Sequence, residues 1–149
     1  MSKHLQFSKA MRAWMDMFMH RSMHGMTKFV KSTGLSMPQF SILMQLRHKE
    51  TCGISDISER FDISNAAASQ LAEKLVQSGH IERAEDPNDR RAKILRLTQQ
   101  GRDLIDAGFN ERVSWLNDLE ATLSAEKKLK VVAALNILAE AAKSLEEKE

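Results

Sequence analysis

ISDISERFDISNAAASQLAEKLVQSGHIERAEDPNDRRAKILRLT, residues 54–98, is the stretch that decides the fold. Ser55 is predicted to cap a short helix, which ends at the turn Asp62-Ile63-Ser64. The last serine of that turn caps a second helix, Asn65 to Ser78, and Gly79 ends it in the left-handed position that glycine favours. Two helices joined by so short a turn must cross steeply, so we predict a helix-turn-helix.

After this helix the spacing of apolar residues changes from helical to alternating. The segments Ile81–Ala84 and Lys93–Leu97 flank the turn cluster Asp86-Pro87-Asn88-Asp89, which predicts a β-hairpin. Arg90, Arg91, Lys93 and Arg96 crowd this short protruding element. Arginine near the tip of a protruding hairpin suits the negative potential of a narrow DNA minor groove.

The second helix of the pair has a polar outer face. Its predicted core side consists of Ala68, Leu71, Ala72 and Leu75, and its predicted outer side of Asn65, Ala66, Ser69, Gln70 and Lys74. A helix in the major groove reaches bases with such side chains, and the amide of Gln70 can pair bidentately with adenine, whereas Lys74 suits a phosphate. The alternative interpretation is that these residues form only a solvated face.

The rest of the chain is predicted to be helical, apart from a polar connection over Lys49–Gly53. The predicted helices run from Lys3 to about Lys31, from an N-cap at Ser36 with Pro38 in the first turn, from Thr98 to about Leu119, and from Ala125, capped by Ser124, to about Glu147.

The outermost helices carry more apolar residues than a single buried face requires. In the first helix these are Phe7, Met11, Trp14, Met15, Phe18, Met19, Met23, Met26, Phe29 and Val30, and towards the C-terminus they are Leu116, Leu119, Leu123, Leu129, Val132, Leu135, Leu138, Ala142 and Leu145. Burial against a second subunit explains the excess. The methionines also suit a ligand pocket, because the unbranched thioether fills irregular space.

Composition sets broad limits on the function. The chain has 149 residues, of which 42% are hydrophobic and 28% charged, as in a globular protein, and its net charge of +2 neither requires nor excludes a nucleic-acid partner. A single cysteine, Cys52, forms no internal disulfide. We find no signal-peptide pattern and no membrane-spanning run, so we predict a cytoplasmic protein without membrane attachment.

Four groups of residues, taken in chain order, form a pattern that can be compared with known families. They are Gln39-Phe40 with Leu43 and Leu46; Ile57-Ser58-Glu59-Arg60-Phe61; Leu75 with Gly79-His80-Ile81; and Asp89-Arg90-Arg91 followed by Ile94, Leu97-Thr98 and Gly101. Their order and spacing resemble the MarR family of winged-helix transcriptional regulators. The Asp-x-Arg hairpin leading into Leu-Thr-x-x-Gly is specific to that family. The resemblance covers Ser36 to about Gly101 by motif, and the flanking helices by length and placement.

The resemblance implies a mainly α-helical fold with a small β-hairpin. A winged helix-turn-helix DNA-binding domain over 36–99 would be flanked by a helical dimerisation region over 1–35 and 100–149. Arg91 would enter the minor groove, Asp89 would orient it by a charge-assisted bond, and Arg90 would lie near phosphate, with Lys93 also among the DNA contacts. Ala67 departs from the pattern, because many relatives carry a hydroxyl there.

The expected function is that of a homodimeric regulator, most often a repressor in this family. It would bind a pseudo-palindromic operator in double-stranded DNA and be released by a small aromatic or anionic effector. Residues expected to line the effector cleft are Met15, Met19, His20, Phe40 and Met44. Enzymatic activity is not expected, since no nucleophile context and no glycine-rich phosphate loop is present, and no cofactor is expected.

Three further hypotheses remain open. Some members of the family sense oxidants through a cysteine, which makes Cys52 a candidate, although the sensing cysteine usually lies in the first helix and its pKa must be depressed. Asp16, His20 and His24 recur every four residues, but their side chains drift around the helix rather than converge on a metal. A winged helix can also serve as a protein-interaction or RNA-binding module, which needs no paired recognition helices.

Overall fold

The structure, a computed structural model, describes residues 3–86 and 93–146. Its elements in chain order are α1 Lys3–Ser32, α2 Met37–Lys49, β1 Thr51–Cys52, α3 Ile54–Phe61, α4 Asn65–Gln77, β2 Ile81–Glu85, β3 Lys93–Leu97, α5 Gln99–Val113, α6 Trp115–Ala121 and α7 Ala125–Glu146. This mainly helical chain with a small sheet confirms the predicted fold class. It also confirms the helix-turn-helix and the two strands of the hairpin.

The sheet has three antiparallel strands in the order β1-β3-β2. In the hairpin, Ile81 lies opposite Leu97 and Glu85 lies opposite Lys93. The short strand β1 was not predicted, and the interpretation of Lys49–Gly53 as a polar connection is wrong at Thr51–Cys52. These two residues pair with β3, which gives their backbone groups hydrogen-bonding partners at the edge of the sheet.

The core lies where α2, α3, α4 and α5 meet the sheet and the C-terminal part of α1. Its fully buried side chains of greatest volume come from nearly every one of these elements: Val30, Ile42, Leu43, Leu46, Ile57, Leu75, Ile81, Leu95 and Ile105. Because α3 and α4 share this core with elements that precede and follow them in the chain, both helices are packed against the rest of residues 3–113.

Side-chain caps define where several helices begin. Ser36 and Gln39 form a reciprocal capping box, in which Gln39 N donates to Ser36 Oγ at 3.3 Å and Ser36 N donates to Gln39 Oε1 at 2.8 Å. This confirms the predicted start of α2. Thr98 Oγ1 accepts a bond from Gly101 N at 3.1 Å and so caps α5, as predicted.

The predicted cap of α3 is wrong. The helix begins at Ile54 rather than after Ser55, and its N-cap is Gly53. The Asp56 side chain reaches back to accept the Gly53 N–H at 2.7 Å, while Ser55 is exposed on the first turn. A carboxylate in the first turn also interacts favourably with the positive end of the helix dipole.

The predicted helix from Thr98 to about Leu119 is also wrong in one respect. It is divided, because α5 ends at Val113 and α6 begins at Trp115. In the second part Asn117 N donates to Ser114 O at 3.0 Å, three residues earlier, which is the bond of a tight 3₁₀-type turn. α7 begins at Ala125 as predicted, with Lys127 N donating to Ser124 Oγ at 3.5 Å.

The chain divides into two units, Met1–Val113 and Ser114–Glu149. In the first unit, α1 packs closely along α5, since a Cβ at Gly25 would lie 3.0 Å from Glu111 O. The second unit holds α6 and α7, and no residue described there is buried. None of the helices over 3–86 and 93–146 combines the length and the apolarity needed to cross a bilayer.

Candidate nucleic-acid interface

The turn between α3 and α4 positions the second helix. Asp62 adopts the left-handed conformation (φ 50°, ψ 50°), which aspartate tolerates better than most residues. Ile63 N donates to Ser58 O at 3.0 Å, and Ser64 Oγ accepts a bond from Ala67 N at 3.2 Å. The chain therefore reverses within three residues, and α4 starts with a capped, exposed end.

The exposed face of α4 consists of the residues predicted to contact DNA. Asn65, Ala66, Gln70 and Lys74 are exposed, and Ser69 is half-buried. The opposite side holds Ala68, Ala72 and Leu75, which are buried in the core. The exposed side chains thus form one continuous surface along the first ten of the thirteen residues of α4. A major-groove contact uses the N-terminal part of such a surface.

The hairpin carries exposed basic side chains. Arg96 is exposed on β3, and Lys93 is exposed with its Nζ donating to Glu85 Oε1 at 3.1 Å. Arg91, predicted to enter the minor groove, lies outside the described residues, as do Asp89, predicted to orient it, and Arg90, predicted to lie near phosphate. Their roles therefore stay predictions.

One contact between α4 and the hairpin was missed by the sequence analysis. Arg83 Nη2 of β2 donates to Glu73 Oε2 of α4 at 2.8 Å, and Gln77 Nε2 donates to Glu73 Oε1 at 3.4 Å. No spacing rule predicts a contact between a helix and a following strand. The only signal was a pair of opposite charges on either side of Gly79.

The residues predicted to line an effector cleft do not gather at one place. Phe40 is 3% exposed, and its ring meets the edge of Phe29 with centroids 6.3 Å apart. Met19 is exposed ten residues earlier on α1, about 15 Å along the helix from Phe29. Met15 and His20 are also exposed, whereas Met44 is half-buried against the core.

A cleft of about 700 Å³ lies elsewhere, on the outer side of the sheet. Its lining combines apolar, basic and acidic side chains from α2, the sheet and α5: Leu46, Arg47, Glu50, Thr51, Glu82, Arg96, Leu97, Arg102 and Asp106. Arg47 forms an ion pair with Asp106 and also lies over the Phe109 ring, 5.1 Å from its centroid. Arg96 forms no ion pair among the residues the structure describes, and it lies opposite Glu82, which lines the same cleft.

Cys52 is a poor candidate for an oxidant sensor. Its side chain is 3% exposed, and burial together with the nearby Asp56 carboxylate raises the pKa of the thiol to about 11. Lys49 acts in the opposite direction but more weakly. Because the thiolate is the reactive form, a thiol with so high a pKa reacts slowly at neutral pH. These properties disfavour the redox hypothesis.

The possible metal ligands on α1 do not form a metal-binding group with other described side chains. Asp16, His20 and His24 are exposed along the helix. Over the described ranges, no group of three histidine, cysteine or carboxylate side chains lies close enough to hold a metal ion.

Comparison with known proteins identifies the family. The model of the MarR family matches residues 35–93, from the start of α2 to the start of β3. The HTH-type transcriptional regulator YfiV of Bacillus subtilis is 31% identical over 107 residues, which make up 72% of this chain and 67% of YfiV. The chain belongs to the MarR family.

Other MarR-type relatives match over a similar stretch. The HTH-type transcriptional regulator YdgJ of Bacillus subtilis is 30% identical over 72% of this chain and 66% of its own length. The transcriptional repressor MprA of Escherichia coli K12 is 31% identical over 68% of this chain and 58% of its own length. The match therefore spans slightly less than two thirds of YdgJ and less of MprA.

Solved structures share the fold over nearly the whole chain. The transcriptional regulator Tm0710 of Thermotoga maritima superposes with a TM-score of 0.77 at 22% identity, covering 97% of this chain and 99% of its own. A mutant of S. aureus MepR, bound to an oligodeoxyribonucleotide, gives 0.69 at 20% identity, with 88% and 96% covered. A mutant of E. coli MarR, complexed with operator DNA, gives 0.54 at 17% identity, with 92% and 99% covered.

Proposed function

We propose that this MarR-family protein is a cytoplasmic repressor that binds a pseudo-palindromic operator as a homodimer and is released by a small anionic effector. The observation that carries the proposal is the continuous polar surface of α4 beside a basic hairpin. The same elements belong to a family whose members MepR and MarR have been solved with DNA. The relative MprA is named a transcriptional repressor.

In this proposal α4 lies in the major groove and the hairpin lies beside it. Gln70, whose side chain is exposed, has two donors and an acceptor for a base edge, and Lys74 reaches a phosphate. Lys93 and Arg96 add positive charge on the hairpin. Neutralising phosphates releases counterions, so affinity falls as salt rises.

The DNA-binding function is tested on a duplex that the protein itself enriches from a random-sequence pool. We expect binding that weakens steeply with salt. Arg91→Ala should weaken it by about 1 to 3 kcal/mol. Asp89→Ala should also weaken it, although it removes a negative charge, because the arginine loses its orientation. Fluorescence anisotropy measures all three proteins.

Two outcomes would count against parts of the proposal. Failure to enrich any sequence would contradict sequence-specific DNA binding and would favour a protein-interaction module. Tighter binding by Asp89→Ala would contradict the orienting role of that carboxylate.

Exposed apolar side chains on both terminal helices support a homodimer. On α1 these are Leu5, Phe7, Trp14, Met15, Met17, Met19 and Met23, and on α7 they are Leu129, Val131, Val132, Leu135, Ile137 and Leu145. Leu129 is 72% exposed and Leu135 is 52% exposed. Monomeric proteins rarely leave so many neighbouring apolar side chains in water, so a second copy that covers them is favoured.

The dimer is tested by placing a charge on the apolar side of α7. Leu135→Glu should weaken self-association at least about tenfold, because an unpaired carboxylate is costly to bury. Ser55→Glu is the control, since it adds the same charge at an exposed position of α3, outside both terminal helices, and should leave the dimer intact. Sedimentation equilibrium measures both. A wild-type chain that sediments as a stable monomer would overturn the homodimer.

The outer cleft is the favoured place for the effector. Its volume of about 700 Å³ suits a small molecule. Arg96, which forms no ion pair among the described residues, offers a guanidinium for a carboxylate, and Leu97 offers apolar contact for a ring. The proposed effector class is therefore a small aromatic acid.

A thermal-shift titration with benzoate and related aromatic acids tests this site. A ligand that binds only the folded protein raises the midpoint of unfolding. Arg96→Gln should abolish the rise, while Met19→Ala should keep it. Loss of the rise in Met19→Ala instead would favour the cleft predicted from the sequence, lined by residues of α1 and α2. No rise with any acid in the wild type would contradict an aromatic-acid effector.

A further inference from the structure

Glu73 and Arg83 connect the recognition helix α4 to the hairpin. Arg83 Nη2 donates to Glu73 Oε2 at 2.8 Å, and Gln77 Nε2 donates to the other carboxylate oxygen at 3.4 Å. Both oxygens of the carboxylate are therefore engaged and its orientation is set. The side chains of Arg83 and Glu73 are 45% and 46% exposed, so the pair lies at the surface rather than in the core.

The pair connects α4 and the hairpin at a point distant from the base of the hairpin. At the end of α4, Thr98 Oγ1 donates to Gly79 O at 2.7 Å, which holds the base of the hairpin. Glu73 lies six residues before Gly79, about 9 Å along the helix. Arg83 lies four residues after it, about 13 Å along the strand. The hairpin is also held by the pairing of β3 with β1 and by Ile81 and Leu95, which are buried in the core. The Glu73–Arg83 pair adds a side-chain link that joins α4 directly to β2 and so helps to set the angle between them.

A carboxylate at position 73 is unfavourable for the affinity of this surface for DNA. It is adjacent to Lys74 and lies one turn after Ser69 and Gln70, the residues proposed to meet DNA. A carboxylate there repels phosphates, so electrostatics alone predicts that removing it strengthens binding to every duplex. An exposed ion pair contributes little to the free energy of unfolding. A gain in folding stability therefore explains an acidic residue at this position poorly. Its effect on the angle between α4 and the hairpin explains it better.

We propose that Glu73 is a positioning residue for DNA recognition. Through Arg83 it sets the angle between α4 and the hairpin, so that both elements engage the same operator half-site. This inference rests on the proposed function, because the angle matters only if both elements touch DNA. It predicts that removing the negative charge of Glu73 weakens specific binding.

The test compares two duplexes: one enriched by the wild-type protein from a random pool, and one with the same bases in scrambled order. Glu73→Gln and Arg83→Gln should each weaken binding to the enriched duplex about fivefold. Glu73→Gln should leave binding to the scrambled duplex unchanged or stronger. Glu126→Gln is the matched control, because it makes the same charge change at the exposed pair with Lys130 on α7. It should bind both duplexes as the wild type does.

A charge exchange separates position from charge. The double variant Glu73→Arg/Arg83→Glu keeps the net charge and restores an ion pair, so it should bind the enriched duplex more tightly than either single variant. Equal or tighter binding of Glu73→Gln to the enriched duplex would overturn the inference, as would a double variant no better than the singles. If the wild type enriches no duplex, the proposed function falls and this inference falls with it.

Discussion

Thr98 makes the contacts on which the arrangement of the DNA-binding elements depends. Its hydroxyl donates to Gly79 O at 2.7 Å and accepts a bond from Gly101 N at 3.1 Å, while its own N–H donates to His80 O at 3.1 Å. One residue thus joins the end of α4, the end of β3 and the start of α5. Gly101 packs so tightly here that a Cβ would come within 2.1 Å of His80 O. These hydrogen bonds therefore link the end of α4 to β3 and to the start of α5.

The elements that build this junction could be predicted from the sequence, because each carries a local signal. Ser64 and Thr98 are caps, Gly79 is a left-handed terminator with φ 74°, and the alternation around Ile94 marks a strand. The outer face of α4 followed from its helical period, since Ala68 and Leu75 are buried and Gln70 is exposed.

The missed features depend on contacts between segments that no local pattern reveals. Thr51–Cys52 is a strand only because β3 lies beside it, and Gly53 is a cap only because Asp56 turns back to its N–H. Phe40 is a large apolar residue of the kind that lines ligand pockets, but its packing against Phe29 places it in the core. The Glu73–Arg83 pair has the same origin, since it requires the hairpin to fold back along α4.

Together these contacts hold α4 with one polar surface exposed, and the proposed role of this surface is to read base edges. The most direct measurement is binding of wild type and Gln70→Ala to the enriched duplex and to its single-base variants, with Gln99→Ala, at an exposed glutamine of α5, as the control. Gln70→Ala should lose about 1 to 3 kcal/mol of discrimination at one base position in each half-site and keep it elsewhere. Full discrimination at every position would contradict base reading by Gln70 in the major groove.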